Sequence, residues 1–507
     1  MNGPDYDMNK LREECGVAGV FGVSEASRLL YLSLFALQHR GQEASGMVTF
    51  DQTQDATLLP KIHVHKAFGL VSDGINETVI ARLQGNMGVG HVRYSTSGGA
   101  LLENIQPFQF QTILGAVAVA HNGNLTNAAD IRKSLEETGS VFQSTSDTEV
   151  FVHLIAKSSA RSMRERIGDA LRHVRGAYSL AILTKNALFA ARDPRGLRPL
   201  VLGRLESGYV VASETCAFDL MGAAYIRDIE PGEVIEISAT GIMSWFPEER
   251  RELKFCSFEP IYFARPDSLL HGESIYEKRR KIGEILASEC PADGDVVIPI
   301  PDSGVAMAEG FSRRSGIPLA MGLVRNHYIG RTFISPSQAE RDAGVRLKLN
   351  PIKSVLYGKK IIVVDDSLVR GTTAARILRL IKEAGAREIH FRIGAPPITH
   401  SCFYGVDTPE RGDLMAARKS VEQIRRTLGA TSLGFISPKG LLKALDETPG
   451  KSYCMACFTG EYPVDIGVEI PRQPTDAAGP GLFSQSGFGQ AIHEAKACEK
   501  MEEPPVN

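Results

Sequence analysis

The chain has 507 residues, with 57 lysines and arginines against 59 aspartates and glutamates, a net charge of −2 and 43% apolar residues. That length exceeds one ordinary core and predicts two large domains plus a tail. The near-neutral balance gives no bulk attraction to nucleic acid or to an anionic membrane, so neither is expected as a partner. The longest apolar runs, such as Ile361-Ile362-Val363-Val364, are strand length, too short to span a bilayer. Eight cysteines are too sparse for a disulfide scaffold. With no spanning segment and no secretory signal in the leader the expected location is the cytoplasm, a reducing compartment where such cysteines point to thiol, metal or cluster chemistry.

Residues 1–14 form a polar leader with acidic residues and no apolar core, which is not a secretory signal. Cys15 follows and opens the apolar, glycine-punctuated stretch Gly16-Val17-Ala18-Gly19-Val20-Phe21-Gly22. With the leader removed, Cys15 would carry a free α-amine beside its thiol, nucleophile and general base on one residue. The alternative is a small buried apolar side chain. Ser27 to Gln38 has apolar residues at helical spacing (Leu30, Leu34, Leu37), with Gly41 as its stop. His63 and His65 share a strand face but have no third metal ligand nearby. From Cys15 to about residue 247 the chain reads as many short strands with two or three helices between them. Gly115–Ala120 and Ala177–Leu183 are examples of the strands. The charged run Glu248–Glu252 marks a hinge or exposed connection.

After about residue 274 strands and helices alternate, which predicts a parallel sheet. Ser274–Glu289 reads as an amphipathic helix, Asp295–Pro299 as a strand and Gly358–Asp366 as the most hydrophobic strand. From about Arg472 the composition turns to Pro, Gly, Ser, Gln and charge, a partly disordered tail. The strand at 361–364 ends in Asp365-Asp366, followed by Ser367-Leu368-Val369-Arg370-Gly371-Thr372-Thr373 and a helix starting near Ala374. Backbone N–H groups at a helix N-terminus suit a phosphate. Gly371 permits close approach, and Thr372 and Thr373 add hydroxyl donors. Paired carboxylates at a strand end suit sugar hydroxyls or a hydrated Mg²⁺.

This segment resembles the phosphoribosyl pyrophosphate signature of type I phosphoribosyltransferases. Ile298–Gly304, which includes Ser303, resembles the loop after the preceding strand in one branch of them. Arg325-Asn326-His327-Tyr328-Ile329-Gly330-Arg331 resembles the start of their mobile substrate loop, whose cations here are Arg325, Arg331, Arg341, Arg346 and Lys348. The resemblance implies that Asp365, Asp366, Ser367, Arg370, Gly371, Thr372, Thr373 and Arg331 bind phosphoribosyl pyrophosphate, and that Ser303, Asp365 and Asp366 hold magnesium.

Cys15, His91–Thr96, His121-Asn122-Gly123-Asn124-Leu125 and Ser146–Glu149 together resemble the class II glutamine amidotransferases. The resemblance implies that Cys15 attacks the glutamine carboxamide while Asn122 and the Gly123 N–H form an oxyanion hole. Arg93 would then clamp the α-carboxylate and Asp147 the α-ammonium. Leu37–Glu43 stands where these enzymes have a glutamine-loop segment. Over about residues 15–465 the two halves resemble the amidophosphoribosyltransferases, glutamine-dependent enzymes that open purine biosynthesis. Their reaction converts phosphoribosyl pyrophosphate, glutamine and water to 5-phosphoribosylamine, glutamate and pyrophosphate. Tyr262 lies where they place a residue of the interdomain ammonia channel; as chemistry it is also an ordinary packing aromatic.

Cys454-Met455-Ala456-Cys457 is a CxxC that fits thiol redox, zinc or a cluster. Cys256 and Cys402 stand where the iron–sulfur, propeptide-bearing branch has its other two ligands, which implies a [4Fe–4S] cluster; zinc is the alternative. Cys216, Cys290 and Cys498 read as structural or unpartnered. The expected fold is α+β and α/β: an N-terminal nucleophile αββα sandwich followed by a phosphoribosyltransferase domain with a parallel sheet. Its parts are a propeptide at 1–14, a glutaminase domain at 15–250, the phosphoribosyltransferase domain with cluster-binding segments at 251–471, and a tail at 472–507. The resemblance also implies purine nucleotide inhibitors and a homo-tetramer. Two rivals are another class II amidotransferase, disfavoured by Asp365-Asp366 and Gly371-Thr372, and a non-catalytic phosphoribosyl-pyrophosphate sensor. The sensor would have no use for Cys15, Arg93, Asn122 and Asp147.

Overall fold

The computed structural model describes residues 12–13, 15–51, 61–94, 101–326, 349–446 and 452–467. Among them, the short apolar segments of the first half pair into two antiparallel sheets. One runs Ala224–Asp228, Val201–Arg204, Tyr209–Ala212, Gly16–Phe21, Met87–Arg93, Ala44–Asp51, Lys61–Phe68. The other runs Gly241–Trp245, Val234–Ser238, Ala187–Arg192, Gly176–Thr184, Gly115–Leu125, Phe108–Thr112. The Gly16–Phe21 strand is apolar throughout because both its faces are covered. Val17 and Phe21 pack between the sheets with Val48, Val89, Leu188 and Val211. Ala18 and Val20 lie under Leu30, Leu34 and Leu37 of and beside the Ala26–Ala36 helix. On the far side, Val117 and Val119 are covered by Phe151, Ile155, Ile167 and Leu171 from the helices Thr148–Lys157 and Met163–His173. The result is four layers, helix–sheet–sheet–helix.

Seven α-helices lie in this half among the described residues, more than the two or three expected. Ala128–Glu137 escapes a hydrophobic-pattern reading because it buries only Leu135 and so has no apolar stripe. Met163–His173 is announced by its capping box, in which Ser162 and Glu165 bond each other's backbone N–H. The first helix stops at Ala36, well before Gly41.

In the second half four parallel strands follow in the order Val296–Pro299, Lys360–Asp365, Glu388–Ile393, Ser432–Phe435. Ile282 and Leu286 of the helix Ile275–Glu289 cover one face, with Met307 and Phe311 of Val305–Ser315. Ile377, Leu378 and Ile381 of Thr372–Glu383 cover the other. Thr372–Glu383 begins two residues before Ala374, because Gly371 makes the left-handed turn (φ +76°) that a side chain would resist. Two short pairings bring distant segments to the join between the halves. Phe255–Cys256 runs parallel to Tyr453–Cys454, and Arg12–Glu13 runs antiparallel to Val406–Asp407.

Candidate active site

Cys15 stands at the head of the central strand of the first sheet, nearly buried and in the left-handed backbone region (φ +78°). That conformation costs a non-glycine residue about 1–3 kcal/mol and is held only where the surroundings over-determine it. Here the carbonyl of Cys15 accepts from Arg40 Nε (3.3 Å) and its thiol lies 3.9 Å from the Tyr94 carbonyl. Gly16 pairs with Val92, so the register sets Cys15 beside Arg93, the buried last residue of the neighbouring strand. Asn122 and Gly123 come from the facing sheet. Two bonds tie the sheets at this point. Ser213 Oγ accepts from both Val17 N (3.0 Å) and Asn122 Nδ2 (3.2 Å), and His91 Nε2 meets the His121 carbonyl (3.1 Å). Cys15, Arg93 and Asn122, more than a hundred residues apart at the extremes, therefore gather at one edge of the sandwich.

Gly123 is extreme in backbone shape (φ +148°), and a Cβ there would sit 2.1 Å from the Ala177 carbonyl oxygen. Its other side is closed by the second half of the chain: a Cβ on Gly405 would lie 3.0 Å from the Gly123 Cα. Asn124 Nδ2 also donates to the Phe403 carbonyl (2.9 Å). Asp147 precedes the Thr148–Lys157 helix, and its Oδ2 accepts from Leu125 N (2.9 Å) at the end of the Asn122–Gly123 strand. His91 and His121 are fully buried. Burial and then Arg93 push His91 down to about 3, and burial also lowers His121. Both are neutral strand-tying side chains at physiological pH.

Asp365 and Asp366 lie buried at the carboxyl end of the Lys360–Asp365 strand, where open parallel sheets bind ligands. Asp366 is flanked by two hydroxyls, those of Ser303 and Ser367, each hydrogen-bonded to one of its oxygens. The loop then passes Arg370, which reaches Asp413 (3.4 Å), and turns at Gly371 into the helix carrying Thr372 and Thr373. Arg325 donates to Asp302 (2.7 Å). Arg331, Arg341, Arg346 and Lys348 lie outside the described residues, as do Ser95, Thr96, Cys498, almost all of the 1–14 leader and the 472–507 tail.

Cys256, Cys402, Cys454 and Cys457 line one cavity, together with Leu197, Arg198, Phe258 and Tyr404. Cys256 and Cys454 are directly paired across their short parallel ladder, and Cys402 Sγ accepts from Tyr404 N (3.3 Å). Burial pushes Cys256 up to about 12 and raises Cys454 and Cys457. No disulfide joins any of the seven described cysteines. Among the described residues no three His, Cys, Asp or Glu side chains converge closely enough to chelate an ion directly. The four thiols are gathered around a space instead, which is the arrangement a polynuclear centre needs.

Several partners at the join were not legible in the sequence. Arg40 and Arg198 are wholly buried and share Glu259, at 2.8 and 3.2 Å, while Arg40 also pairs with Glu214. Burial pushes the Glu214 carboxyl up, but His39 and Arg40 outweigh it and hold it well below the usual carboxylate range. Glu259 opens the π-helical turn Glu259–Phe263, which carries the partly buried Tyr262, its ring edge-on to Phe263. Arg279 donates to the carbonyls of Pro260 (2.8 Å) and Ala264 (2.7 Å), bracketing that turn, and its charge also feels Asp366.

The geometry describes a buried cysteine at the edge of an αββα sandwich joined to a parallel-sheet α/β domain, the architecture of glutamine amidotransferases coupled to a phosphoribosyltransferase. Family models agree: a glutamine amidotransferase domain matches residues 91–219 and a phosphoribosyl transferase domain residues 267–393. The chain is 52% identical over 490 residues to a chloroplastic amidophosphoribosyltransferase 2 of Arabidopsis thaliana, covering 96% of this chain and 85% of that protein. It is 44% identical over 468 residues to the Bacillus subtilis amidophosphoribosyltransferase, 91% of this chain and 96% of the relative. The solved B. subtilis glutamine phosphoribosylpyrophosphate amidotransferase, complexed with ADP and GMP, superposes with a TM-score of 0.84 over 89% of this chain and 98% of that one.

The chain belongs to the amidophosphoribosyltransferases. It forms 5-phosphoribosylamine, glutamate and pyrophosphate from phosphoribosyl pyrophosphate, glutamine and water, the first committed step of de novo purine biosynthesis. The rival amidotransferases and the non-catalytic sensor are thereby set aside.

Proposed function

We propose that the glutaminase half acts through Cys15, Arg93, Asn122, Gly123 and Asp147. Arg93 receives the α-carboxylate of glutamine through its planar fork and Asp147 the α-ammonium. The Cys15 sulfur adds to the carboxamide carbon, and its proton passes to the Cys15 α-amine, a free amine being basic enough to take it. The carbonyl oxygen, now negative, is held by the Asn122 side-chain N–H and the Gly123 N–H. The α-amine returns the proton to the departing ammonia, and water then hydrolyses the thioester to glutamate. Ammonia passes Tyr262 to C1 of the ribose and displaces pyrophosphate there. Asp365 and Asp366 accept from the ribose hydroxyls, and Ser367, Arg370, Gly371, Thr372 and Thr373 surround the 5-phosphate. Arg331 serves as a cation over the pyrophosphate. What chiefly supports this reading is the delivery of Cys15, Arg93 and Asn122 to one edge by two bonds between sheets. Rates of Cys15→Ala with glutamine and with ammonia test it: loss with glutamine alone is expected, and equal loss with both would overturn it.

The donor set of Asp365, Asp366 and Ser303 is all hard oxygen and fits magnesium, which when bound would offset the charge of pyrophosphate. The cysteine cavity fits a [4Fe–4S] cluster on two counts: four thiols around one space, and a backbone N–H already directed at Cys402 Sγ. When bound, such a cluster would cross-link the join at Cys256 with the returning segments at Cys402, Cys454 and Cys457. Protein purified without air is expected to be brown and to carry about four irons per chain by metal analysis; colourless protein carrying zinc would remove the cluster.

We further propose that residues 1–14 are a propeptide. The backbone of Arg12–Glu13 lies along Val406–Asp407, just upstream of Cys15, and a free α-amine at Cys15 requires its loss. Intact mass of the active protein is expected to correspond to a chain beginning at Cys15, and an active enzyme retaining the leader would exclude it. Inhibition by purine nucleotides, a homo-tetramer and a cytoplasmic location complete the proposal. The first draws on the ADP and GMP bound to the B. subtilis relative, and the last on cysteines kept out of disulfides. Among the described residues no helix is long and apolar enough to cross a membrane.

A further inference from the structure

Two buried polar groups at Asn122 and Ser213 are left without partners among the described residues. Asn122 is completely buried, its Nδ2 directed at Ser213 Oγ, and no described residue donates to its Oδ1. Ser213 is completely buried as well. Its oxygen already accepts the Val17 N–H at 3.0 Å, and with Asn122 Nδ2 it accepts twice. Its own hydroxyl proton then has no acceptor among the described residues. A buried amide oxygen without a donor and a buried hydroxyl without an acceptor each cost about 1–3 kcal/mol. Turning the Asn122 amide by half a revolution removes both deficits in one step: the Ser213 O–H donates to Oδ1 while Val17 N–H still donates to Ser213. The group left without a protein partner is then the NH₂, a donor with nothing to bond until an anionic oxygen arrives.

We propose that Ser213 is a positioning residue of the glutaminase reaction, which orients the Asn122 amide so that its N–H, rather than its oxygen, faces the oxyanion. The backbone supports the assignment. Ser213 N donates to the Val17 carbonyl (3.0 Å) while Val17 N donates to Ser213 Oγ. Ser213 is thereby clamped to the strand that Cys15 opens, two residues from the nucleophile. One serine thus refers the oxyanion donor on one sheet to the nucleophile strand on the other. This rests on the oxyanion role proposed for Asn122, so the test reads both residues.

The experiment is a double-mutant cycle in the full-length enzyme with Ser213→Ala, Asn122→Ala and the pair. It measures kcat and KM for glutamine, with ammonia-dependent synthesis as the fold control. Losing an oxyanion donor typically costs about 100- to 1,000-fold. Ser213→Ala is expected to lower glutamine-dependent kcat by about 10- to 100-fold, since the amide can still turn into place part of the time. KM for glutamine should stay within about twofold, because binding is carried by other groups. The pair should be no slower than Asn122→Ala alone, and Ser213→Thr, which keeps the hydroxyl, should recover most of the rate.

Multiplying losses in the pair, a raised KM with unchanged kcat, or failure of Ser213→Thr to recover would overturn the positioning role. Equal loss of ammonia-dependent synthesis in Ser213→Ala would reduce Ser213 to a structural residue. An Asn122→Ala enzyme with undiminished kcat would instead remove the oxyanion reading beneath it.

Discussion

Cys15→Ala is expected to abolish glutamine-dependent synthesis of phosphoribosylamine while ammonia-dependent synthesis continues. Cys15 sits at the sandwich edge, whereas Asp365 and Asp366 close a strand of the other sheet. On the proposed roles the two chemistries use separate side chains, and only ammonia passes from one to the other. Removing a nucleophile that acts as a unit with its base leaves only residual catalysis, a loss on the order of 10,000-fold or more in kcat. Alanine tolerates the left-handed backbone at this position no worse than cysteine, so the variant should fold. Rates with glutamine and with excess ammonia, measured on one preparation, decide the matter: equal loss of both would sink the two-site mechanism.

The second large effect lies at Asp366. Asp366→Asn keeps the volume of a fully buried side chain but removes its charge and turns one of its two oxygens into a donor. That oxygen faces the hydroxyl of Ser303 or of Ser367, and hydrogen bonds to a charged group are worth about 1.5–3 kcal/mol each. Phosphoribosyl transfer, with ammonia or with glutamine, should fall on the order of 100-fold or more. Alkylation of Cys15 by a reactive glutamine analogue should proceed as in the unaltered enzyme. If alkylation fell in parallel with transfer, Asp366 would be supporting the whole chain instead of the phosphoribosyl site.

The strand–loop–helix around Asp365 and Gly371 was legible because its chemistry is local: a buried strand, two acids, a glycine turn and a helix start fall within about fifteen residues. The edge around Cys15 was legible only through resemblance, since Arg93, Asn122 and Asp147 are individually ordinary. Ser213 escaped because nothing near it in the sequence distinguishes it from a strand-end serine, and its meaning comes from Val17 and Asn122, each about a hundred residues or more away. Arg279 and Glu259 escaped for the same reason, the first hidden as a basic residue in an amphipathic helix. The polar helix Ala128–Glu137 escaped for the opposite one: it lacks the apolar stripe by which helices are read.

The charged run at 248–252 looks like a place to cut, yet the buried charges say otherwise. Arg40 and Arg198 lie before it and Glu259 after it, and all three are shielded from water. A chain ending at residue 250 would keep the two guanidinium groups with Glu214 as the remaining carboxylate of the set. Removing one partner from a buried ion pair costs about 3–5 kcal/mol, a large share of what holds an ordinary domain together. The seam between the halves thus holds buried ion pairs beside its apolar contacts and is more than a tether. A glutaminase half cut at residue 250 would leave Arg40 and Arg198 without the carboxylate of Glu259, so the two halves are expected to fold as one piece.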